Sequence, residues 1–287
     1  MKNKNNIYYF SSLLLFVFII STWNPFQPGI NSTDLYKNED TILVAAHRGS
    51  HSSYPENSIA AIQESIRNEI DIVEIDIRQT KDGKLVLLHD HHLDRTTNMK
   101  GLLSDHTLAD IKKGYLLFKE KPTKEKIPAL EEVLSLARNK IILNLDFKID
   151  ELETLKIAAD LITEFEMENS VIITINDIKL IEALYDYNPT IRIMPVAYTT
   201  KKIKQVFKYD FIDVVQVYHR AYPKSIINTF EEKKISIWVN SIKKYDKIQE
   251  KGQPGFDRLL QIKKVDIIQT NHPEDLLLFL REKGLHP

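Results

Sequence analysis

The chain has 287 residues, 43% hydrophobic and 28% charged, which suits one globular domain of barrel size better than two smaller ones. Lys+Arg 39 against Asp+Glu 40 leave a formal charge of -1, so no basic excess points to nucleic acid and no acidic excess to a solvating arm. The absence of cysteine excludes disulfides, thiolate metal sites, a cysteine nucleophile and cysteine-borne lipid anchors.

Lys2 and Lys4 precede an apolar run from Ile7 to Ile20, the pattern of an export signal. As a helix that run is about 21 Å long, short of the roughly 30 Å hydrocarbon core of a bilayer. Ser21-Thr22-Trp23-Asn24-Pro25 contains no small-x-small cleavage pair. Residues 1–25 therefore read as a signal peptide or an uncleaved N-terminal anchor, with membrane association in the second case. Either places the protein outside the cytoplasm, periplasmic or extracellular. Residues 26–40 read as a linker and 41–287 as the folded domain.

Within that domain apolar strand-like runs alternate with helical spacing. Thr41 to Ala46 runs into His47-Arg48-Gly49, and Ser58 to Asn68 is a first helix with Ile59, Ile62 and Ile66 on one face. Ile72 to Ile77 alternates with period two, turning Val73, Ile75 and Ile77 to one side and Glu74, Asp76 and Arg78 to the other. Lys84 to Leu88 runs into His89-Asp90. Later strand candidates are Ile141 to Phe147, Val171 to Ile175, Ile191 to Ala197, Val214 to Tyr218, Ile235 to Val239 and Val265 to Gln269, with helical patterns between them such as Glu151 to Phe165.

This rhythm predicts parallel β/α units. An eight-stranded barrel needs eight strands and the sequence offers nine, so one is extra: the run ending in His89, a hairpin formed through Thr80-Lys81-Asp82-Gly83. A segment of about 91–127 interrupts the β/α rhythm, and insertions of that length beside a site usually cap it.

Three strand ends within about fifty residues carry reactive side chains. A single histidine is more often structural, but two at equivalent strand ends flanking a Glu-x-Asp pair point to acid/base chemistry. These residues resemble the glycerophosphodiester phosphodiesterase family, within the superfamily of phospholipase C-like phosphodiesterases. The resemblance is carried by His47-Arg48-Gly49, Pro55-Glu56-Asn57-Ser58, Glu74-Ile75-Asp76, Thr80-Lys81-Asp82-Gly83, His89-Asp90 and Arg95-Thr96-Thr97, in that order. Weaker matches follow at Ile127 to Leu134, Asn144 to Lys148, Trp238-Val239-Asn240 and Ile268 to Pro273, so the resemblance covers nearly everything after residue 40. It implies a TIM-type (β/α)8 barrel with a small capping insertion and hydrolysis of glycerophosphodiesters to sn-glycerol 3-phosphate and an alcohol.

Glu74 and Asp76 inside a barrel repel one another unless paired, and a phosphodiester needs positive charge on its oxygens; a hard divalent cation, Ca2+ or Mg2+, meets both needs. Asp146 is the third candidate ligand, with service as an internal partner of Lys148 as the alternative. Many relatives carry Glu where Asp146 stands, a side chain longer by about 1.5 Å; the related sphingomyelinase D type has Asp. His47 and His89 are candidates for general acid and base. The resemblance implies a two-step route, in which the substrate glycerol's 2-hydroxyl attacks phosphorus to give a cyclic phosphate that water then opens. The sequence does not assign the two histidines between the roles. Arg48 and Lys148 are candidate donors to phosphate oxygens, against ordinary ion pairing with Glu74, Asp76 or Asp90.

His51, His91, His92 and His106 read as solvated loop residues, and His219, His272 and His286 have no motif support. Trp238 reads equally as a substrate-lining or a core residue. The Lys201-Lys202-Ile203-Lys204 cluster reads as a solvated helix face, and Asn271, where relatives often have Asp, is left without a role. A lysophospholipid or glycerophosphoinositol substrate is the near alternative. A barrel that binds a phospho-ligand or envelope polymer without turnover is the alternative of another class.

Overall fold

The computed structural model describes residues 41–261 and 264–287. The signal or anchor segment 1–25 and the linker 26–40 lie outside the described residues. In chain order the strands are β1 (Leu43–His47), β2 (Ile72–Gln79), β3 (Leu85–Leu87), β4 (Leu117–Phe118), β5 (Lys121–Pro122), β6 (Ile142–Phe147), β7 (Val171–Ile175), β8 (Arg192–Ala197), β9 (Val214–Val217), β10 (Ser236–Asn240) and β11 (Ile267–Thr270). Eight of them, β1, β2 and β6 through β11, pair in parallel, and β1 pairs with both β2 and β11, so the sheet closes. Helices such as Ile59–Arg67 and Leu152–Glu164 return the chain between strands, giving a TIM-type (β/α)8 barrel.

The ninth run is the extra one. β3 pairs antiparallel with β2 outside the closed ring, Ile77 opposite Leu87 and Gln79 opposite Leu85, through the turn at Gly83. This leaves His89 just beyond β3, beside the C-terminal end of β2.

Strand alternation divides the apolar residues into two populations. Val73, Ile75, Leu143 and Leu145 point outward and join the main core beneath the helices. Ile72, Ile142, Met194 and Trp238 point inward and fill the lower barrel. Trp238 is fully buried there and donates Nε1–H to Gln269 Oε1 at 3.1 Å, so of its two readings core packing is the one observed. Most inward positions above this plug are polar, among them His47, Glu74, Asp76, Asn144, Asp146, Thr174 and Gln269. The barrel is thus solid at its N-terminal end and chemical at its C-terminal mouth.

Residues 88–129 form the insertion, with a small core of its own built on Leu88, Leu93, Leu103, Ile111, Leu116 and Ile127. The β4–β5 hairpin turns through Lys119 and Glu120, both with positive φ (50° and 65°), as a tight two-residue hairpin requires. The insertion leaves from β3 and returns to it, Leu87 N–H bonding Pro128 O at 3.0 Å, and so hangs over the β2 side of the mouth. Among the described residues no helix is long and apolar enough to cross a membrane.

Candidate active site

The parallel register assembles the site. His47 is the partner of Glu74 across β1 and β2, and Asp76 is the partner of Asp146 across β2 and β6. Register partners on adjacent strands lie about 4.8 Å apart, and because all four residues are on inward-facing positions their side chains converge. Glu74, Asp76 and Asp146 each offer an oxygen, the three within 4.8 Å of one another. His47 Nε2 is 3.9 Å from Glu74 Oε2.

The turn after β1 is shaped by its glycine. Arg48 and Gly49 both have positive φ (58° and 79°), and a Cβ on Gly49 would stand 2.9 Å from the Ala61 backbone. The turn therefore packs directly on helix Ile59–Arg67, which Ser58 caps by accepting from Ala61 N–H. The folded-back loop lets Arg48 N–H donate to Glu74 Oε2 at 3.1 Å. Asn57, also at positive φ (55°), grips Asp76 twice: Nδ2 donates to Oδ2 at 2.8 Å and Oδ1 accepts Asp76 N–H at 3.1 Å.

Charge is unevenly satisfied. Arg48 Nε lies 2.9 Å from Asp76 Oδ2, and Lys148 Nζ lies 2.8 Å from Asp76 Oδ1 and 2.5 Å from Asp146 Oδ2. Both cations are in ion pairs here, and Asp146 does partner Lys148. Burial pushes the Asp76 carboxyl up, but Lys148 and Arg48 outweigh it and hold it below the usual range. Asp146 is raised by burial in spite of Lys148, with Asp76 adding to the rise. Glu74 is pushed well above its usual value by burial, then by the charges of Asp76 and Asp146. Its Oε1 is buried with no hydrogen-bond partner. An orphaned buried carboxylate oxygen, in a donor set made wholly of carboxylates, fits a hard divalent cation.

The two histidines stand on opposite sides of this cluster. His47 adjoins Glu74; its Nδ1 is 2.7 Å from Asn271 Oδ1, which can only accept, so Nδ1 carries the proton and Nε2 presents a lone pair. Burial, followed by the Arg48 charge, pulls its pKa down to about 4. His89 lies just beyond β3, its backbone carbonyl accepting from Arg78 Nε at 2.8 Å, and its Nδ1 is 2.6 Å from Asp90 Oδ1. Asp90 in turn accepts from Arg95 Nε at 2.6 Å, and that bond, with the one from His89, holds it far below the usual carboxylate range. Glu56 accepts from both Arg48 and Arg95, tying the turn after β1 to the insertion.

Residues 47–275 match the model of the glycerophosphoryl diester phosphodiesterase family. The chain belongs to that family. It is 41% identical over 109 residues to a glycerophosphodiester phosphodiesterase of Bacillus altitudinis, spanning 37% of this chain and 44% of that one. To the enzyme of that name from Caldanaerobacter subterraneus subsp. tengcongensis it is 34% identical over 169 residues, 58% of this chain and 62% of the relative. The matches thus span less than two thirds of either relative. A solved glycerophosphoryl diester phosphodiesterase from Parabacteroides distasonis superposes with a TM-score of 0.78 at 28% identity, covering 90% of this chain and 93% of that one.

Asp146 keeps its oxygen within the carboxylate triangle because it is the register partner of Asp76. Asn271, which the sequence leaves without a role, fixes the His47 ring. Asn57, Glu56, Asp90 and Arg95 sit inside recognisable motifs, yet their bonds to Asp76, Arg48 and His89 could not be read from those motifs. Of the histidines set aside, His51 is half-buried, 6.4 Å from His47 between ring centroids, and His286 is buried at the opposite end of the barrel.

Proposed function

We propose that the protein is a metal-dependent glycerophosphodiester phosphodiesterase, releasing sn-glycerol 3-phosphate and an alcohol. One observation carries the reading: two imidazoles, each fixed through Nδ1, flank three converging carboxylates, one of which keeps a buried oxygen without a partner. A module that merely binds phosphate needs the cation but not two oriented proton-transfer groups. Glu74, Asp76 and Asp146 would hold Ca2+ or Mg2+. When bound, the ion supplies positive charge to the phosphate oxygens.

The chain's own residues divide the remaining work. His47, neutral and with a free lone pair on Nε2, takes the proton of the substrate glycerol's 2-hydroxyl, whose oxygen attacks phosphorus. His89, its ring oriented through Nδ1 by Asp90, gives an Nε2 proton to the departing alcohol. The cyclic phosphate so formed is opened by water with the two proton transfers reversed. Arg48 and Lys148 donate to phosphate oxygens, and the insertion limits water access. The charged N-terminus and its apolar run support action outside the cytoplasm.

The test uses purified protein, chelated and then resupplied with single divalent ions, against a panel carrying choline, ethanolamine, glycerol and inositol head groups. Alcohol release that needs a divalent ion, and that falls by about 10²–10⁴-fold in His47→Ala and His89→Ala with circular dichroism unchanged, is the expected result. Turnover surviving both substitutions sinks the mechanism, and tight binding without any alcohol release sinks the enzymatic reading.

A further inference from the structure

β2 is flanked on one edge by β6, over Ile72 to Ile77. Its other edge is shared: β1 occupies it up to Glu74, and β3 occupies it from Ile77 to Gln79. β3 is antiparallel, so it runs back toward a stretch that β1 already fills. Its last bond to β2 is Leu88 N–H to Asp76 O at 3.1 Å, and at His89 the chain has to leave the sheet. The two histidines are therefore held in unlike ways. His47 is a residue of the closed ring, its side chain 16% exposed, whereas the His89 side chain is 38% exposed and belongs to no strand. Neither strand pairing nor burial fixes it.

Arg78 meets the backbone at that exit. It shares the inward face of β2 with Glu74 and Asp76 and is 7% exposed. Its Nε donates to the His89 carbonyl at 2.8 Å and its Nη1 to His91 Nδ1 at 3.0 Å, so one planar guanidinium grips the chain on both sides of Asp90. Asp90 in turn holds the His89 ring through Nδ1 at 2.6 Å. Among the described residues Arg78 makes no ion pair, and these two neutral acceptors are its hydrogen-bond partners. Burying a guanidinium away from any carboxylate contact is costly. Both of its bonds go to the one segment that the sheet lets go.

We infer that Arg78 is a positioning residue for His89: it ties the exit of β3 to the strand that carries Glu74 and Asp76, and so sets where His89 Nε2 stands relative to the carboxylates. This rests on His89 being the proton donor to the departing alcohol, as proposed above. Lysine is a poor substitute, because a single ammonium on a flexible stem does not span a carbonyl and an imidazole two residues apart. The consequence is confined to one part of the reaction. A displaced general acid slows the departure of an alcohol that needs a proton and spares a group that departs as its anion. A residue that only braced the fold would affect both alike.

The experiment compares the full chain with Arg78→Gln, Arg78→Lys and His89→Ala on glycerophosphocholine and on the p-nitrophenyl ester of glycerol 3-phosphate. The quantity read is kcat/KM, which ends at departure of the leaving group and excludes the opening of the cyclic phosphate. On the choline ester it is expected to fall about 100-fold in Arg78→Gln and about tenfold in Arg78→Lys. On the p-nitrophenyl ester, whose leaving group needs no proton, both variants should stay within about threefold of the native value. His89→Ala should show the same split, only larger. Equal losses on both esters in Arg78→Gln, beside a split in His89→Ala, would make Arg78 a structural residue and overturn the inference, as would an unchanged kcat/KM on both. A uniform loss in His89→Ala would instead overturn the assignment of His89, and the inference with it. The ring ¹⁵N signals read the positioning without turnover: in Arg78→Gln those of His89 should move or broaden while those of His47 hold. His89 signals identical to the native ones overturn the inference whatever the kinetics.

Discussion

The two ends of the barrel put carboxylates to opposite purposes. At the N-terminal end Asp71, just before β2, accepts from Val44 N–H at 2.7 Å and pairs with His286 Nε2 at 3.0 Å. Asp266, just before β11, accepts from Ile237 N–H at 2.7 Å, and Asp213, just before β9, pairs with Arg192 at 3.0 Å. These acids are stitched across neighbouring strands and hold the bottom of the ring. At the mouth Glu74, Asp76 and Asp146 are crowded together within 4.8 Å, and Glu74 Oε1 has no partner. A buried carboxylate with its partners supplied is a fastener; one deprived of them stores unfavourable charge that only a cation or a proton relieves.

The sharpest way to break this comparison is to neutralise Glu74. Glu74→Gln keeps the shape and removes the charge, so kcat/KM for a glycerophosphodiester is expected to fall by about a thousandfold or more, about 4 kcal/mol of transition-state stabilisation. The melting temperature of the metal-free protein should hold or rise, because a crowded acid has gone. Steady-state kinetics and thermal melts on one preparation decide it. A variant that loses activity only because it unfolds would erase the distinction between the two ends.

Asp71→Ala probes the opposite end. It strands the Val44 N–H and leaves the His286 ring, whose side chain is 7% exposed, without its partner. Chemical denaturation should register a loss of about 3 kcal/mol, with kcat and KM of the folded protein for a glycerophosphodiester unchanged. Activity lost beyond the folded fraction would mean that the bottom of the barrel also sets the geometry of the mouth.

Much of this contrast is visible in the sequence, but only where chemistry and periodicity coincide. The alternation around Glu74 and Asp76 puts both on one face, and the surplus ninth run correctly becomes a hairpin strand because a tight turn at Gly83 cannot cross a parallel barrel. The partners that tune the site are harder to see. Asn271 lies 224 residues from His47, and only barrel closure between β1 and β11 brings them together. Asp246 reaches Asn271 from a π-helical turn, Ile242–Asp246, whose register no hydrophobic period announces. The acids before β2, β9 and β11 look like ordinary loop residues until the closed ring supplies their partners.

Asn271→Ala is the intermediate test, since it removes orientation while leaving charge alone. The His47 ring loses its fixed Nδ1 partner, and kcat should fall about tenfold with KM little changed. The ¹⁵N shifts of His47 should move toward a mixed tautomer population while the melting temperature stays near the native value. Unchanged ring shifts would show that some other contact fixes His47.

The smallest expected effect concerns pH at the bottom of the barrel. Burial is the largest single influence on His286 and pushes its pKa down, but the hydrogen bond and charge of Asp71 together outweigh it and leave the value above the usual 6.5. A group raised on folding stabilises fully below its unfolded pKa, and that contribution is lost as pH climbs through the folded value. The urea midpoint of the native protein, measured against His286→Gln, should therefore show its advantage at pH 6 and shed it by pH 9. Catalysis should not follow the same curve, because His47 at the mouth is shifted the opposite way, to about 4, and stays neutral across that window. If stability and rate fell together above neutral pH, one titration would be governing both ends, and the division between fastener and reactive cluster would not hold.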